Sequence, residues 1–380
     1  MRVHVVDPSA YTPPYDHALC QALASAGAQV ELITSRFSYG TVPAAENYDR
    51  RESFYRLGHA GPQSAAPRPA WQRALKLAEH VPEMVAYGRR AQRADVVHLQ
   101  WLTVQPLDVH LLPRGGPPLV LTAHDVLPRE PRPGQLRAQR ALYERVDAVV
   151  VHSEHGRRRL IEELKLDPAR ITQIPHGVLR PWEDHVELDS GQRGQRRGLP
   201  RELATLQGPV ILFLGLLRPY KGLDVLLRAW QGIEGAELWI VGMPRMDTTA
   251  LKASAPPGVR FIERFLTDGE LWPFLDRAYL TVLPYREIDQ SGVLFTALGA
   301  GVPSVLSDVG GFPEVAATGA ATLFPAGDAD ALRAALERLL DDPEARATMA
   351  AAARRAAETD YAWPGIAART LDLYRTLGAR

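Results

Sequence analysis

The chain has 380 residues, more than one typical hydrophobic core organises, so we expect two domains. Its 44 basic and 44 acidic residues cancel, and this balance gives no indication of a nucleic-acid partner. The single cysteine, Cys20, excludes an intrachain disulfide, and the first residues are typical of a strand rather than a signal peptide. No apolar run approaches ~20 residues, so we expect a cytoplasmic protein without a membrane span.

Strands and helices alternate through the first half. Residues 3–6 are predicted as a strand, a helix then ends at Gly27, and residues 30–34 form a second strand. Such a unit implies a right-handed crossover and a parallel sheet. Residues 36–70 are interpreted as a loop region with some strand. Further strands are predicted at residues 95–99, 119–122, 148–151 and 171–174.

A helix predicted over residues 71–93 is heavily basic. Its cations are Arg73, Lys76, Arg89, Arg90 and Arg93. Residues 1–180 hold 23 basic and 18 acidic residues in all. Solvated helix faces commonly carry such charge, but a surface for anionic lipid or an anionic acceptor is the alternative. A peripheral contact with the inner face of the membrane is therefore an alternative to an ordinary solvated face.

The second half repeats the alternation after a polar linker at residues 181–208. The strands are predicted at residues 210–214, 237–241, 259–262, 280–283, 304–306 and 322–324. One or two alanine-rich helices are expected over residues 328–358, and a last helix over residues 363–377.

The stretch from Pro209 to Trp230 carries the clearest functional signal. An apolar run ends at Gly215, and helical spacing of leucines begins after Lys221. Arg218 and Lys221 therefore lie at the carboxyl end of a strand beside a helix start, where ligands and anions bind in parallel sheets. The ordinary interpretation is a turn with two solvated cations, and the functional one is a diphosphate site. It is not a P-loop, because that motif is absent.

A series of short motifs on these strand ends resembles one family. The motifs are Asp95–His98, Thr122–Asp125, Ile174–Gly177, Gly215–Gly222, Ile240–Gly242, Leu283–Tyr285, Ser291–Gly292, Ala297–Gly301 and Asp308–Glu314. In this order they resemble the retaining nucleotide-sugar glycosyltransferases of family 4, which have the GT-B fold. The resemblance runs nearly end to end.

The resemblance implies an α/β fold of two doubly wound Rossmann-like domains facing across a cleft. Residues 1–180 would form the acceptor domain, residues 181–208 the linker and residues 209–358 the donor domain. Residues 359–380 would form a helix that crosses back to the first domain.

Roles for individual residues also follow from the resemblance. Arg218 and Lys221 would bind the donor diphosphate, and His124 would contact the transferred sugar. The other donor-binding candidates are Gly215, Phe265, Glu287, Asp289, Gln290, Ser291, Gly292, Val293 and Thr296. The acceptor-side candidates are Tyr15, Asp16 and Asp125.

Two departures from the family pattern matter. Family members usually carry two glutamates seven residues apart, and Ile288 and Thr296 stand at those positions here. The second glutamate normally binds the ribose, so we expect Glu287, Asp289 or Gln290 to replace it. The usual glycine pair after the first strand is also absent, and residues 12–16 are interpreted as a stiffer loop.

The expected reaction transfers a hexose, with retention, to a hydroxyl of a glycan, glycolipid or small molecule. The family picture has the leaving phosphate oxygen accept the acceptor's proton, so no protein nucleophile is required. We expect no metal and no cofactor besides the nucleotide sugar, since Arg218 and Lys221 supply positive charge. The alternatives are a nucleotide-sugar epimerase and a non-catalytic nucleotide-sugar-binding partner protein. Donor hydrolysis compared between the wild type and Lys221→Ala separates these classes.

Other polar residues are ambiguous. Core packing is the better interpretation for His98 and Trp101, and His152, His155 and His176 are interpreted as structural. Glu314 fits a helix start or a ligand contact equally well, because Gly310 and Gly311 precede it.

Overall fold

A computed structural model describes residues 1–37, 40, 42–57, 70–102, 104–129, 131, 133–180 and 199–379. The chain divides into two compact units. The first comprises residues 1–177 and 363–380, and the second comprises residues 178–362. Most of the predicted linker, residues 181–198, lies outside the described residues.

The first unit is built on a parallel sheet. Its strands are β1 (Arg2–Asp7), β2 (Gln29–Ser35), β3 (Asp49–Phe54), β4 (Val96–Leu99), β5 (Leu119–Thr122), β6 (Ala148–Val151) and β7 (Ile171–Gln173). Their spatial order is β3-β2-β1-β4-β5-β6-β7, and every described pairing is parallel. The helices are α1 (Pro13–Ser25), α2 (Ala70–Ala91), α3 (Gln105–Leu111), α4 (Gln135–Arg145) and α5 (Glu154–Glu162), with a 3₁₀ turn at Pro168–Arg170.

The second unit repeats this plan. After the short helix α6 (Arg201–Ala204), its strands are β8 (Val210–Leu214), β9 (Glu237–Val241), β10 (Val259–Ile262), β11 (Leu280–Leu283), β12 (Ser304–Ser307) and β13 (Ala321–Phe324). They form a parallel sheet in the order β10-β9-β8-β11-β12-β13. The helices are α7 (Leu223–Ala229), α8 (Thr249–Ala253), α9 (Asp268–Arg277), α10 (Gly292–Gly299), α11 (Phe312–Ala316), α12 (Ala329–Asp341) and α13 (Pro343–Glu358).

Alternation along the central strands explains why this sheet is buried on both faces. In β8, Ile211 and Phe213 belong to one apolar core, whereas Val210, Leu212 and Leu214 belong to the other. Successive side chains of a strand point to opposite faces, so a continuous apolar run requires helices on both sides. The topology thereby brings the carboxyl ends of β8 and β11 side by side.

The last helix, α14 (Trp363–Thr376), returns to the first unit and packs on α1. Its Tyr374 is fully buried, and the phenol oxygen lies 2.6 Å from Nδ1 of His98. Trp363 fills the space beside Gly177, where an added Cβ would lie 2.4 Å from the indole. These contacts join the terminal helix to the ends of β4 and β7.

The structure corrects one local prediction. Residues 12–16 were expected as a loop, but α1 begins at Pro13 and contains Pro14, Tyr15 and Asp16. Proline is favoured in the first turn of a helix, since its missing N–H has no intrahelical partner there and its φ is already helical. The two prolines therefore begin the helix instead of stiffening a loop.

Candidate active site

Gly215 marks the end of β8 and the centre of the candidate donor site. Its φ is +116°, and a Cβ added there would lie 2.8 Å from Nζ of Lys221 and 3.1 Å from the Val293 side chain. Only glycine is compatible with that conformation and that space. The missing side chain brings together the strand end, the Lys221 ammonium and the first turn of α10.

Lys221 ends a 3₁₀ turn, Pro219–Lys221, and is only 6% exposed. Its ammonium donates a hydrogen bond to the Tyr285 hydroxyl at 2.9 Å and lies 4.7 Å from the centre of that ring. A buried ammonium group is costly without compensation, and the phenol oxygen and the ring face supply part of it. In such a low-dielectric position the charge acts strongly on a nearby anion.

Arg218 precedes the same turn and is half-buried. Within the described residues, no side-chain hydrogen bond or ion pair engages its guanidinium. The planar fork of an arginine matches two phosphate oxygens, whereas a lysine acts as a point charge. The two residues therefore offer different modes of binding to one diphosphate.

The loop after β11 is tied to this turn. The amide of Arg286 donates to the Tyr220 carbonyl at 2.7 Å, and its guanidinium pairs with Asp224 at 2.6 Å and reaches the Pro219 carbonyl at 3.1 Å. Because of these bonds, residues 284–291 and the Lys221 turn are fixed to each other. A site built across both loops is pre-organised.

The first turn of α10 offers backbone donors. Ser291 is the N-cap, and its side chain makes no capping hydrogen bond. The first amides of a helix have no intrahelical acceptor, so those of Gly292 and Val293 suit a phosphate or sugar oxygen. Thr296 is 8% exposed, and its hydroxyl donates to the Gly292 carbonyl at 2.8 Å. The single hydroxyl proton of Thr296 is thus used within the helix.

The remaining donor candidates differ in exposure. Glu287 is exposed and Gln290 is half-buried, whereas Asp289 is only 3% exposed. The Gln290 side chain accepts from the Ser291 amide at 3.3 Å. Phe265 follows β10 and is 40% exposed, as a surface for stacking a nucleobase requires. Among the carboxylates, Glu287 is therefore the more accessible to a ligand.

In the first unit, His124 follows β5 and sits in a cluster of rings. The Trp101 indole stacks on its imidazole with centres 5.0 Å apart and planes 12° apart, and Tyr15 meets it edge-on at 4.7 Å. His152 and His176, which follow β6 and β7, lie next in the cluster with ring centres 5.1 Å apart. Their interpretation as structural residues agrees with this packing.

Hydrogen bonds determine which nitrogen of His124 carries the proton. Nδ1 of His152 lies 3.0 Å from the Ile174 carbonyl, which only accepts, so His152 is protonated there. Its Nε2 then accepts from Nδ1 of His124 at 3.2 Å, which leaves a lone pair on Nε2 of His124. That nitrogen lies 3.0 Å from Oε1 of Gln100. The O and N atoms of a side-chain amide are assigned from the hydrogen bonds they make, so we turn the Gln100 amide by 180°, and its NH₂ group then donates to Nε2 of His124.

The histidines of this cluster are neutral at ordinary pH. Burial, and then the repulsion that a protonated His152 would exert, lower the pKa of His124 well below its usual value. Burial also lowers the pKa of His98 to about 3 and that of His152 to about 4. His124 therefore does not act as a cation.

The three acceptor-side candidates are placed differently. Tyr15 is 3% exposed and packs edge-on against the His124 imidazole. Asp16 is 1% exposed and hydrogen-bonds to Asp7, and burial together with the Asp7 charge raises its pKa well above the usual value. Only Asp125 is exposed, 3.3 Å from Arg129. We assign Tyr15 and Asp16 to holding the site in shape instead of touching an acceptor.

Two family models match the chain. Residues 15–178 match "Glycosyltransferase Family 4", and residues 208–342 match "Glycosyl transferases group 1". A phosphatidyl-myo-inositol mannosyltransferase of Mycobacterium leprae is 30% identical, with 74% of each chain covered. The chain belongs to the family 4 glycosyltransferases. A D-inositol 3-phosphate glycosyltransferase of Kineococcus radiotolerans is 28% identical over 94% of this chain and 88% of that protein.

Solved structures agree on the fold of this glycosyltransferase. Sucrose-phosphate synthase from Thermosynechococcus elongatus matches with a TM-score of 0.73 at 21% identity, covering 100% of this chain and 99% of that one. HepE from Anabaena in complex with UDP matches with a TM-score of 0.67 at 18% identity, covering 99% and 100%. The predicted fold class is confirmed: the glycosyltransferase has the two Rossmann-like domains of the GT-B fold.

Sequence reasoning missed three residues of this glycosyltransferase. Tyr285 binds the Lys221 ammonium; it ends the Leu283–Tyr285 motif, but no role was assigned to it. Gln100 contacts His124, a pairing that has no signal in a single sequence. Trp101 was expected in the core, yet it is half-buried and lines a cavity. Its position two residues beyond β4, at a carboxyl end, was the available clue.

Proposed function

We propose that this chain is a retaining glycosyltransferase that moves a hexose from a nucleotide-diphosphate sugar to an acceptor hydroxyl without a metal ion. The observation that carries the proposal is the buried Lys221 ammonium beside Gly215 and the first turn of α10. The second unit binds the donor, and the first unit recognises the acceptor.

The chemistry follows from the charges. Cleavage of the donor leaves negative charge on the departing diphosphate, and a fixed ammonium, a guanidinium and helix amides stabilise it as it develops. Because these cations are already in place, no metal ion is needed to stabilise the charge of the departing diphosphate. The leaving phosphate oxygen can then take the proton of the acceptor hydroxyl, which gives transfer with retention and needs no protein nucleophile.

The names of relatives and neighbours support the substrate class. HepE was crystallised with UDP and with UDP-glucose, and two relatives act on inositol-containing acceptors according to their names. We extend to this chain the use of a nucleotide-sugar donor and of a glycan or lipid-linked acceptor. No cofactor besides the donor enters the proposal.

A peripheral membrane contact belongs to the same proposal. Within the described residues no helix is long and apolar enough to cross a bilayer. On α2, however, Trp71 is 63% exposed, and Leu77, Val81 and Val85 are each 39–45% exposed at helical spacing. Exposed apolar side chains on a basic helix are typical of helices that lie in the membrane interface.

The proposal is tested by measuring nucleoside diphosphate release from UDP-, GDP- and ADP-sugars with a panel of acceptors. We expect acceptor-dependent release with one nucleotide and a product of unchanged anomeric configuration. Release that is equally fast without any acceptor, or an inverted product, would contradict it. Failure of anionic liposomes to bind the protein at low salt would reject the membrane contact alone.

A further inference from the structure

A cavity of about 250 Å³ opens beside His124 in the first unit. It lies at the carboxyl ends of β4 and β5, where ligands bind in parallel sheets. Ligand pockets usually measure ~300–1,000 Å³, so this volume suits one ring better than an extended chain. The polar residues that line it and carry the argument are Gln100, Gln105, His124, Asp125 and Gln135.

Amide side chains dominate the polar lining. Each glutamine offers two donor hydrogens and an acceptor oxygen, and a sugar hydroxyl both donates and accepts, so the two groups match. Gln100 is 1% exposed, and its amide nitrogen has no hydrogen-bond partner in the described part of the chain. In either orientation of the amide, one of its polar atoms awaits a partner. Gln139 behind it is already used by the Val126 carbonyl and the Tyr143 hydroxyl.

The charge around the cavity disfavours an anion. No lysine or arginine lines the cavity among the described residues. The carboxylate of Asp125 does, and its charge is offset by the Arg129 guanidinium 3.3 Å away. His124 is neutral because burial lowers its pKa. Gln105 begins α3. The partial positive charge of the first turn of α3 is already compensated by the Asp108 carboxylate, which accepts a hydrogen bond from the Val104 amide at 2.7 Å. Only the start of α4 offers partial positive charge to a phosphate there, about half an elementary charge.

Tyr11 supplies an aromatic wall. It lines the cavity, is 65% exposed, and packs on Trp101 with ring centres 4.5 Å apart. Its loop is rigid, because the Asp7 carboxylate accepts hydrogen bonds from the Tyr11 and Thr12 amides and the Trp101 indole donates to the Thr12 hydroxyl at 2.9 Å. The negative face of an aromatic ring packs well on the polarised C–H groups of a sugar.

We propose that this cavity binds an uncharged sugar or cyclitol ring of the acceptor, stacked on Tyr11 and hydrogen-bonded by the glutamine side chains. The inference rests on the proposed function, because it names the acceptor class of that reaction. An uncharged acceptor ring distinguishes this chain from an enzyme whose acceptor carries a phosphate next to the reacting ring.

The test is a binding titration on the full chain with matched pairs of rings. Glucose, mannose, galactose, N-acetylglucosamine and myo-inositol are each compared with their monophosphates by ligand-observed NMR. We expect at least one unphosphorylated ring to bind, and to bind more tightly than its phosphate. Tighter binding of the phosphate, or no binding of any unphosphorylated ring, would overturn the inference.

Variants locate the binding. Tyr11→Ala should lower the affinity for the ring roughly tenfold, and Tyr11→Phe should preserve that affinity. Trp71→Ala, which removes an equally exposed aromatic side chain on α2, should leave the affinity unchanged. Gln105→Lys places a cation in the cavity and should reverse the preference toward the phosphorylated ring. Equal affinities for the wild type, Tyr11→Ala and Gln105→Lys would place the ring elsewhere and refute the cavity.

Titration of UDP, GDP and ADP with the same samples separates this inference from the proposed function. Nucleotide binding without ring binding rejects the cavity alone. Ring binding without binding or turnover of any nucleotide sugar rejects the proposed function and keeps the cavity.

Discussion

The strand ends of the two sheets differ in charge. At the end of β8 the second unit buries an ammonium and presents a guanidinium, Lys221 and Arg218. The first unit carries neutral histidines there, with His98 on β4 and His124, His152 and His176 after β5, β6 and β7. Under the proposed function, the same strand geometry binds a diphosphate in one unit and hydroxyl groups in the other. Charge, more than fold, distinguishes the strand ends of the two units.

Removal of the cations in the second unit should have the largest effect on turnover. We expect Lys221→Ala and Arg218→Ala each to lower turnover by ~10²–10³, the scale for one lost group that stabilises developing charge. Lys252→Ala is the matched control, because Lys252 is a half-exposed cation paired with Glu263 at 2.7 Å on the same unit. Near wild-type turnover in both site variants would remove them from the site.

The contact with the ribose gives the next largest effect. Glu287→Ala should weaken donor binding by ~1.5–3 kcal/mol, the range for a hydrogen bond to a charged group, which is ~10- to 150-fold in the dissociation constant. Thr296→Ala should change it little, because the Thr296 hydroxyl donates to Gly292 within α10. Donor titration against both variants decides between them. A large loss for Thr296→Ala alone would show that threonine has kept the role of the usual glutamate.

The neutral cluster should be visible in the pH dependence of stability. A histidine whose pKa falls on folding stabilises the protein above its unfolded pKa of ~6.5, and that contribution is lost as the pH falls toward the folded value. For His152, with a folded pKa of about 4, the free energy of unfolding should drop by ~2 kcal/mol between pH 7.5 and 5. Denaturant titrations at both pH values measure the change, and His152→Asn should show a smaller drop than the wild type. An equal drop in both would contradict the burial argument.

The smallest expected effect is that of EDTA. Turnover should persist in its presence, because Arg218 and Lys221 supply the positive charge. The single Asp-x-Asp sequence, Asp328–Asp330, does not change this expectation, since Asp328 accepts from the amides of Asp330 and Ala331 and caps α12. Activity lost with EDTA and restored by Mg²⁺ would require a metal at the charged site.

Much of the fold was predictable from sequence because the central strands are apolar on both faces. The residues of β8 and β9 read as continuous runs, and their buried positions follow from that pattern. The edge strand β3 was predicted only as some strand in a loop region, since its sequence, DRRESF, is polar and mostly exposed. Periodicity reports burial, so it finds apolar strands and misses a polar edge strand such as β3.

The candidate sites were predictable in unequal measure. Lys221 stands in a local motif beside glycines, so its position could be inferred from neighbours in sequence. The cavity joins Tyr11, the Gln100–Gln105 connection and Gln135 from three separate segments, and no local pattern links them. The partner of Lys221, Tyr285, is 64 residues away for the same reason. Tertiary structure alone brings such residues together.

The role of the buried ammonium is tested most directly by titrating a nucleoside diphosphate and the matching monophosphate against the wild type and Lys221→Ala. If Lys221 binds the distal phosphate, the wild type should bind the diphosphate at least ~10-fold more tightly than the monophosphate, the lower end for a hydrogen bond to a charged group. The variant should lose that advantage while its affinity for the monophosphate changes little. An undiminished preference for the diphosphate in Lys221→Ala would contradict the assignment of this site.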